Sequence, residues 1–231
     1  MAKRWAEWLA VSHLSCVEIE PEGDARAAVI WLHGLGANGH DFEPVVPELR
    51  LPEKLAVRFV FPHAPAIPVT INNGFVMPAW YDITDLNSIG HRVDEEGLLR
   101  SAEAVRTLVD REMGRGIDSR RIALAGFSQG GAVSYQAALT CPSPLAGLLV
   151  LSAYFATARS IRPNPANAGL PIRIYHGTAD PVVPEVLGRE SRDALIGMGY
   201  RPVYNTYPMQ HAVCPEEIAD ISAALREWFS Q

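Results

Sequence analysis

Hydrophobic positions fall into two rhythms along this chain. Short runs with at most one polar break, Ala27-Ala28-Val29-Ile30-Trp31-Leu32, Val57-Arg58-Phe59-Val60-Phe61, Ile122-Ala123-Leu124-Ala125, Leu148-Leu149-Val150-Leu151 and Ile172-Arg173-Ile174-Tyr175, are apolar on both faces, as strands covered by helices on two sides must be. Between them the period is helical. Leu98, Ala102, Val105 and Val109 share one face, opened by Asp94-Glu95-Glu96 and stopped by Gly114 and Gly116, and helices are also expected over residues 129–139, within 184–198 and over 215–229. Residues 202–207 read as a further strand, and Cys16 to Glu20 alternates like a half-exposed edge strand. The alternation predicts an α/β fold with a mainly parallel central sheet and helices on both faces. Trp5, Trp8 and Leu9 predict a short amphipathic helix at the start, and a short helix is expected near residues 42–50. Residues 65–89, with three prolines and Gly74, read as one long irregular segment that is nonetheless rich in apolar side chains, which marks it as a candidate pocket edge.

Composition narrows the function classes. A length of 231 residues without a charged linker or shift in composition predicts one domain over residues 1–231, and 48% apolar residues suffice for a continuous core. The net charge of -6 leaves no electrostatic footprint for nucleic acid. Cys16, Cys141 and Cys214 are odd in number and widely spaced, so neither a disulfide framework nor a zinc site is expected. The start lacks a clean apolar run with a cleavage site, and no window is long and apolar enough for a membrane span, which makes the cytoplasm the expected compartment.

The chemistry concentrates at Gly126-Phe127-Ser128-Gln129-Gly130. A serine between a buried strand and a helix sits on a sharp turn, with small residues two places either side because a Cβ there would strike the neighbouring strand or helix. Its alternative role is a helix cap. A serine hydroxyl is a poor nucleophile near neutrality and needs an imidazole to take its proton. In a parallel sheet the reactive groups gather at the carboxyl ends of strands, where Asp180 follows the Ile172 strand and His211 follows the last one. The chain order Ser, Asp, His is that of the α/β-hydrolase arrangement, so Ser128, Asp180 and His211 are the expected triad. Asp193 and Asp220 fall within expected helices, and the other histidines precede the acid in the chain. The amides of Leu35, in His33-Gly34-Leu35-Gly36, and Gln129 are the expected oxyanion donors.

Gly34-Leu35-Gly36-Ala37-Asn38-Gly39 also matches the dinucleotide fingerprint after a strand. Pro44 and Pro47 oppose a helix there, the following strand ends Phe61-Pro62-His63 without an acidic residue to hold a ribose, and the fingerprint leaves Ser128, Asp180 and His211 without a role.

These segments together resemble the small carboxylesterases and acyl-protein thioesterases of the phospholipase/carboxylesterase family. The likeness is carried by Val29 to Gly36, Pro62-His63-Ala64-Pro65, Met77-Pro78-Ala79-Trp80-Tyr81-Asp82, Gly126 to Gly131, His176-Gly177 with Asp180-Pro181-Val182-Val183-Pro184, and His211 with Pro215-Glu216-Glu217, in the family's order. The resemblance implies an α/β-hydrolase fold without a large cap domain; the expected function is hydrolysis of short- to medium-chain carboxylic esters through an acyl-enzyme, with acyl-protein thioesterase or lysophospholipase activity as the alternative and a non-catalytic ligand receptor on the same fold as the remote one. It implies no cofactor and no metal, and leaves a homodimer open. Ile71, Phe75, Met77 and Trp80, with Val183 beside the acid, are expected on the acyl side. Gln210 stands where the family often has glycine, and Phe155-Ala156 follows Tyr154 where Leu-Pro is common, so the acyl pocket is where this chain departs.

Overall fold

The computed structural model describes residues 14–84 and 93–230; the expected helix around Trp5 and Trp8, and residues 85–89 of the expected loop, lie outside them. Each doubly apolar run is a strand: β2 (Ala27–Leu32), β3 (Val57–Pro62), β6 (Ile122–Phe127), β7 (Gly147–Leu151) and β8 (Ile172–Gly177), joined at the edges by β1 (Cys16–Ile19) and β9 (Val203–Tyr207). They form one seven-stranded sheet in the order β1-β3-β2-β6-β7-β8-β9, parallel throughout except for β1, which runs antiparallel to β3 with Cys16 opposite Pro62. The helices are α1 (Val45–Glu48), α2 (Glu95–Gly114), α3 (Gln129–Leu139), α4 (Glu185–Gly197) and α5 (Pro215–Phe229).

The period of two along β2 decides which layer each side chain joins. Ala28, Ile30 and Leu32 pack with Leu98, Ala102, Ala132, Val133 and Leu195 of α2, α3 and α4, whereas Ala27, Val29 and Trp31 pack with Ile221, Leu225 and Trp228 of α5. Burial of each large aliphatic side chain contributes about 1.5–3 kcal/mol, so a one-residue slip of this strand would exchange both cores at once. The β1 edge is tied down by charge: Arg58 of β3 donates through Nε to both Glu20 oxygens at 2.9 Å and through a terminal nitrogen to the enclosed Glu112 of α2 at 2.8 Å.

Two expectations change. The helix near residues 42–50 shrinks to Val45–Glu48, a single turn, because Pro47 has no amide to donate back towards Glu43 and Arg50 turns to φ 46. Residues 65–89 are not one irregular segment: β4 (Ala66–Val69) and β5 (Phe75–Pro78) make an antiparallel ribbon, with Pro68 opposite Val76 and a tip at Asn73 and Gly74, both at positive φ. Pro68 and Pro78 read as breakers in sequence, yet a two-stranded ribbon has two free edges on which a missing N–H forfeits no ladder bond. Ile67 and Val69 alternate inward while Ala66 and Pro68 face out. Among the described residues no helix is long and apolar enough to cross a membrane.

Strand order reverses at β2 and β6, which lie side by side although the chain passes from one to the other through β3. The loops leaving their carboxyl ends therefore open a crevice, and they carry His33 to Gly36 and Ser128 respectively.

Candidate active site

Ser128 joins β6 directly to α3 at φ 54 and ψ -119, a conformation strained for any residue with a Cβ. The turn is tight because two glycines let strand and helix touch. A Cβ on Gly126 would collide with the Gly130 carbonyl, and one on Gly130 would stand 2.5 Å from the His33 carbonyl oxygen. The Ser128 amide donates to the Leu151 carbonyl of β7 at 2.9 Å, and its side chain does not cap α3, so the capping role weighed from sequence is not the one it plays. Ser128 is half-buried.

Asp180 and His211 come from two loops sewn together. Ala179 N–H donates to Met209 O at 3.1 Å and Thr178 N–H to Tyr207 O at 2.8 Å. The approach needs Gly177, since a Cβ there would meet the Met209 oxygen at 2.5 Å. The Asp180 side chain is fully enclosed; its Oδ1 accepts from the amides of Val182 (2.8 Å) and Val183 (2.9 Å), and its Oδ2 lies 2.7 Å from His211 Nδ1. A carboxylate only accepts, so Nδ1 carries the proton and the His211 Nε2 lone pair is left to act as base. The imidazole leans on Phe127, immediately before the serine, with ring centroids 4.6 Å apart. Among the described residues the Ser128 hydroxyl makes no hydrogen bond of its own, so the structure joins acid to imidazole and places that imidazole against the neighbour of Ser128.

The loop after β2 runs past the same point, since a Cβ on Gly34 would lie 3.5 Å from Ser128 Cβ. Among the described residues no acceptor engages the amides of Leu35 or Gln129. Four hydrogen bonds hold the loop. His33 is enclosed, donates from Nδ1 to Gly34 O at 2.7 Å and accepts the Ala64 amide on Nε2 at 3.1 Å, a neutral tautomer whose pKa burial pushes down. Trp80 Nε1 donates to His33 O at 2.8 Å, and Gly36 N–H donates to Pro78 O at 2.8 Å. The Gln129 side chain completes the frame: Oε1 accepts from the Trp80 amide at 2.9 Å and Nε2 donates to Tyr81 O at 2.8 Å. This clamp was not foreseen from sequence, where Gln129 figured only as a backbone amide. No helix starts directly after β2, where Pro44 and Pro47 oppose one; the next is α1 at Val45–Glu48.

The five expected acyl-side residues separate. Ile71 and Met77 are half-buried and pack with Leu35 against Ile67, Val69 and Ala79, next to the loop after β2. Phe75 stands out at 67% exposure near the ribbon tip. Trp80 and Val183 are at 2% and 3%, which makes them supports beneath the crevice rather than its surface. A cavity of about 760 Å³ lies between the start of α2 and α4, walled in part by Tyr154, Phe155 and Leu187. Tyr154 there shares a 2.8 Å hydrogen bond with the hydroxyl of Tyr81, whose carbonyl is held by the Gln129 side chain. Among the described residues no cluster of His, Cys, Asp or Glu is placed to hold a metal.

A doubly covered, mainly parallel sheet with a serine at the β6–α3 turn and an Asp–His pair on the loops after the last two strands defines an α/β-hydrolase of the serine hydrolase class. Residues 14–229 match the phospholipase/carboxylesterase family, and the chain belongs to it. It is 40% identical over 211 residues to acyl-protein thioesterase 1 of Gibberella zeae, covering 87% of this chain and 90% of that one, and 37% identical to acyl-protein thioesterase 1 of Cryptococcus neoformans var. neoformans, covering 93% and 97%. Among solved structures, Zea mays acyl-protein thioesterase 2 superposes with a TM-score of 0.83 at 29% identity over 94% of this chain and all of that one. The enzyme is therefore a hydrolase of esters or thioesters.

Proposed function

We propose that this enzyme is an acyl-protein thioesterase that also cleaves simple carboxylic esters, working as one domain through Ser128, His211 and Asp180. The observation that carries the reading is the 2.7 Å contact of His211 Nδ1 with Asp180 Oδ2, on an imidazole packed against the residue before a strained serine. Thioester preference is supported by the relatives, which bear the name acyl-protein thioesterase over nearly their whole length.

In the first half-reaction Ser128 Oγ turns to His211 Nε2, gives up its proton and bonds to the acyl carbon. The carbonyl oxygen becomes an oxyanion between the Leu35 and Gln129 amides, each such donor being worth roughly 3–4 kcal/mol in the barrier. Collapse breaks the carbon–sulfur or carbon–oxygen bond, and the imidazolium protonates the leaving thiol or alcohol. Water then adds to the acyl-enzyme with its proton passing to His211, and collapse returns that proton to Ser128 and frees the carboxylic acid. The acyl chain is assigned to the space flanked by Ile71, Met77 and Leu35.

The test is a matched series of acetyl to palmitoyl thioesters and oxyesters, with fluorophosphonate labelling. Labelling lost in Ser128→Ala, together with higher kcat/KM for long-chain thioesters, is the expected result. Labelling that survives the substitution removes Ser128 as nucleophile, and a preference for acetyl or butyryl oxyesters returns the enzyme to the short-chain carboxylesterases.

A further inference from the structure

Asp180 has a second histidine beside it. His176, near the end of β8, is wholly enclosed, with Nε2 2.8 Å from the Val183 carbonyl oxygen and 3.7 Å from Asp180 Oδ2. A carbonyl only accepts, so Nε2 carries the proton and Nδ1 presents a bare lone pair. Nδ1 has no partner among the described residues, and α4 closes over it so tightly that a Cβ on Gly188 would stand 2.5 Å away. Burial pushes the His176 pKa down against the pull of Asp180 and Glu185, and the ring is neutral in one fixed tautomer.

The distances separate two roles. At 3.7 Å the contact with Oδ2 is too long for a hydrogen bond, whereas the 2.8 Å bond to Val183 is well formed. Val183 is thereby held at both ends, its carbonyl by His176 and its amide by Asp180 Oδ1. Val182, the other amide on that oxygen, is 46% exposed, so the turn has no comparable anchor on its outer side. His176 belongs to an interior strand of the sheet, paired on both sides by β7 and β9.

We infer that His176 is a positioning residue for the acid: by gripping the Val183 carbonyl it aims the Val182 and Val183 amides at Asp180 Oδ1, which leaves Oδ2 turned to His211. The inference rests on the acyl-transfer reading of Ser128, Asp180 and His211. It acts through geometry, and the ionisable groups that face His176 are Asp180 and His211 from the loops, Glu185 from α4 and Tyr204 from β9.

The test compares three variants with the wild type in kcat, KM and the pH profile of kcat/KM on an acyl thioester, and in the low-field proton resonance of His211 Nδ1. His176→Met removes the donor at similar volume, His176→Asn keeps a polar group too short to reach Val183, and His176→Gln places an amide nitrogen where Nε2 was. In the Met and Asn variants kcat should fall about 10- to 100-fold with KM within about twofold, as expected of a catalytic group held off line. The low-field resonance should move or vanish and the acid limb of the profile should shift, with His176→Gln recovering most of the rate. If His176→Met does not fold, the Asn and Gln variants decide alone. An unchanged rate per folded molecule with an unchanged profile overturns the inference, as does a Gln variant no better than Asn. Wild type that fails to label with fluorophosphonate would instead overturn the reading beneath it.

Discussion

His211 and Asp180, 31 positions apart in the chain, meet at 2.7 Å because two backbone hydrogen bonds and the bare Cα of Gly177 bring their loops into register. Asp180→Asn would put an amide where Nδ1–H now donates and favour the wrong imidazole tautomer. The expected outcome is a fall in kcat of about 10³- to 10⁴-fold with the fold intact, read by steady-state thioester hydrolysis beside thermal denaturation.

Gln129 joins the serine helix to the Trp80–Tyr81 segment by two side-chain bonds at 3% exposure. Gln129→Ala strands the Trp80 amide and Tyr81 carbonyl at about 1–3 kcal/mol each. Gln129→Glu keeps the acceptor for Trp80 but sets an anionic oxygen against the Tyr81 carbonyl, so it should be the less stable of the two. Urea midpoints rank the pair; equal stability to wild type for both would show that the clamp carries no energy.

The Arg58–Glu112 pair lies on the other edge, where Glu112, fully enclosed, also accepts from Arg111 and Arg115 at 3.1 Å. Glu112→Gln leaves three guanidinium groups facing a neutral amide and should cost roughly 3–5 kcal/mol in denaturant unfolding. The rate of fluorophosphonate labelling per folded molecule should not change, because the network touches none of the three loops of the site.

Glu217 gives the opposite sign. Its side chain is fully enclosed in α5, neither oxygen makes a well-formed hydrogen bond among the described residues, and burial pushes its pKa up to about 8, offset only in part by the Cys214 backbone. A carboxyl with a raised folded pKa binds its proton more tightly in the folded chain, so stability falls as pH rises from the ordinary 4.5 towards 8. Glu217→Gln should melt higher than wild type at pH 8 to 9, by a margin that shrinks towards pH 5. A constant margin across that range would mean the group does not titrate there.

Sequence alone reached the elements whose signals are local. Each strand of the sheet interior was marked by a run apolar on both faces, and residues 129–139 and 215–229 are helices at the expected bounds because glycine, proline and acidic residues punctuate them. The β4–β5 ribbon was missed since its stability comes from pairing Ala66–Val69 with Phe75–Pro78 and from packing Ile67 and Val69 under the loop after β2, neither of which a window of residues can register. Trp80 looked like a pocket wall for the same reason: an apolar side chain in an apparent loop carries no mark of how deeply it is covered.

Chain order and residue type already nominate Ser128, Asp180 and His211 in the sequence, because the chemistry admits few residues and the fold admits one order. Tertiary structure alone decided the supports: the neutral tautomers of His33 and His176, the Gln129 clamp and the double anchoring of Val183. Each depends on hydrogen-bond direction between residues distant in the chain, and direction exists only once the sheet has fixed where every donor and acceptor points.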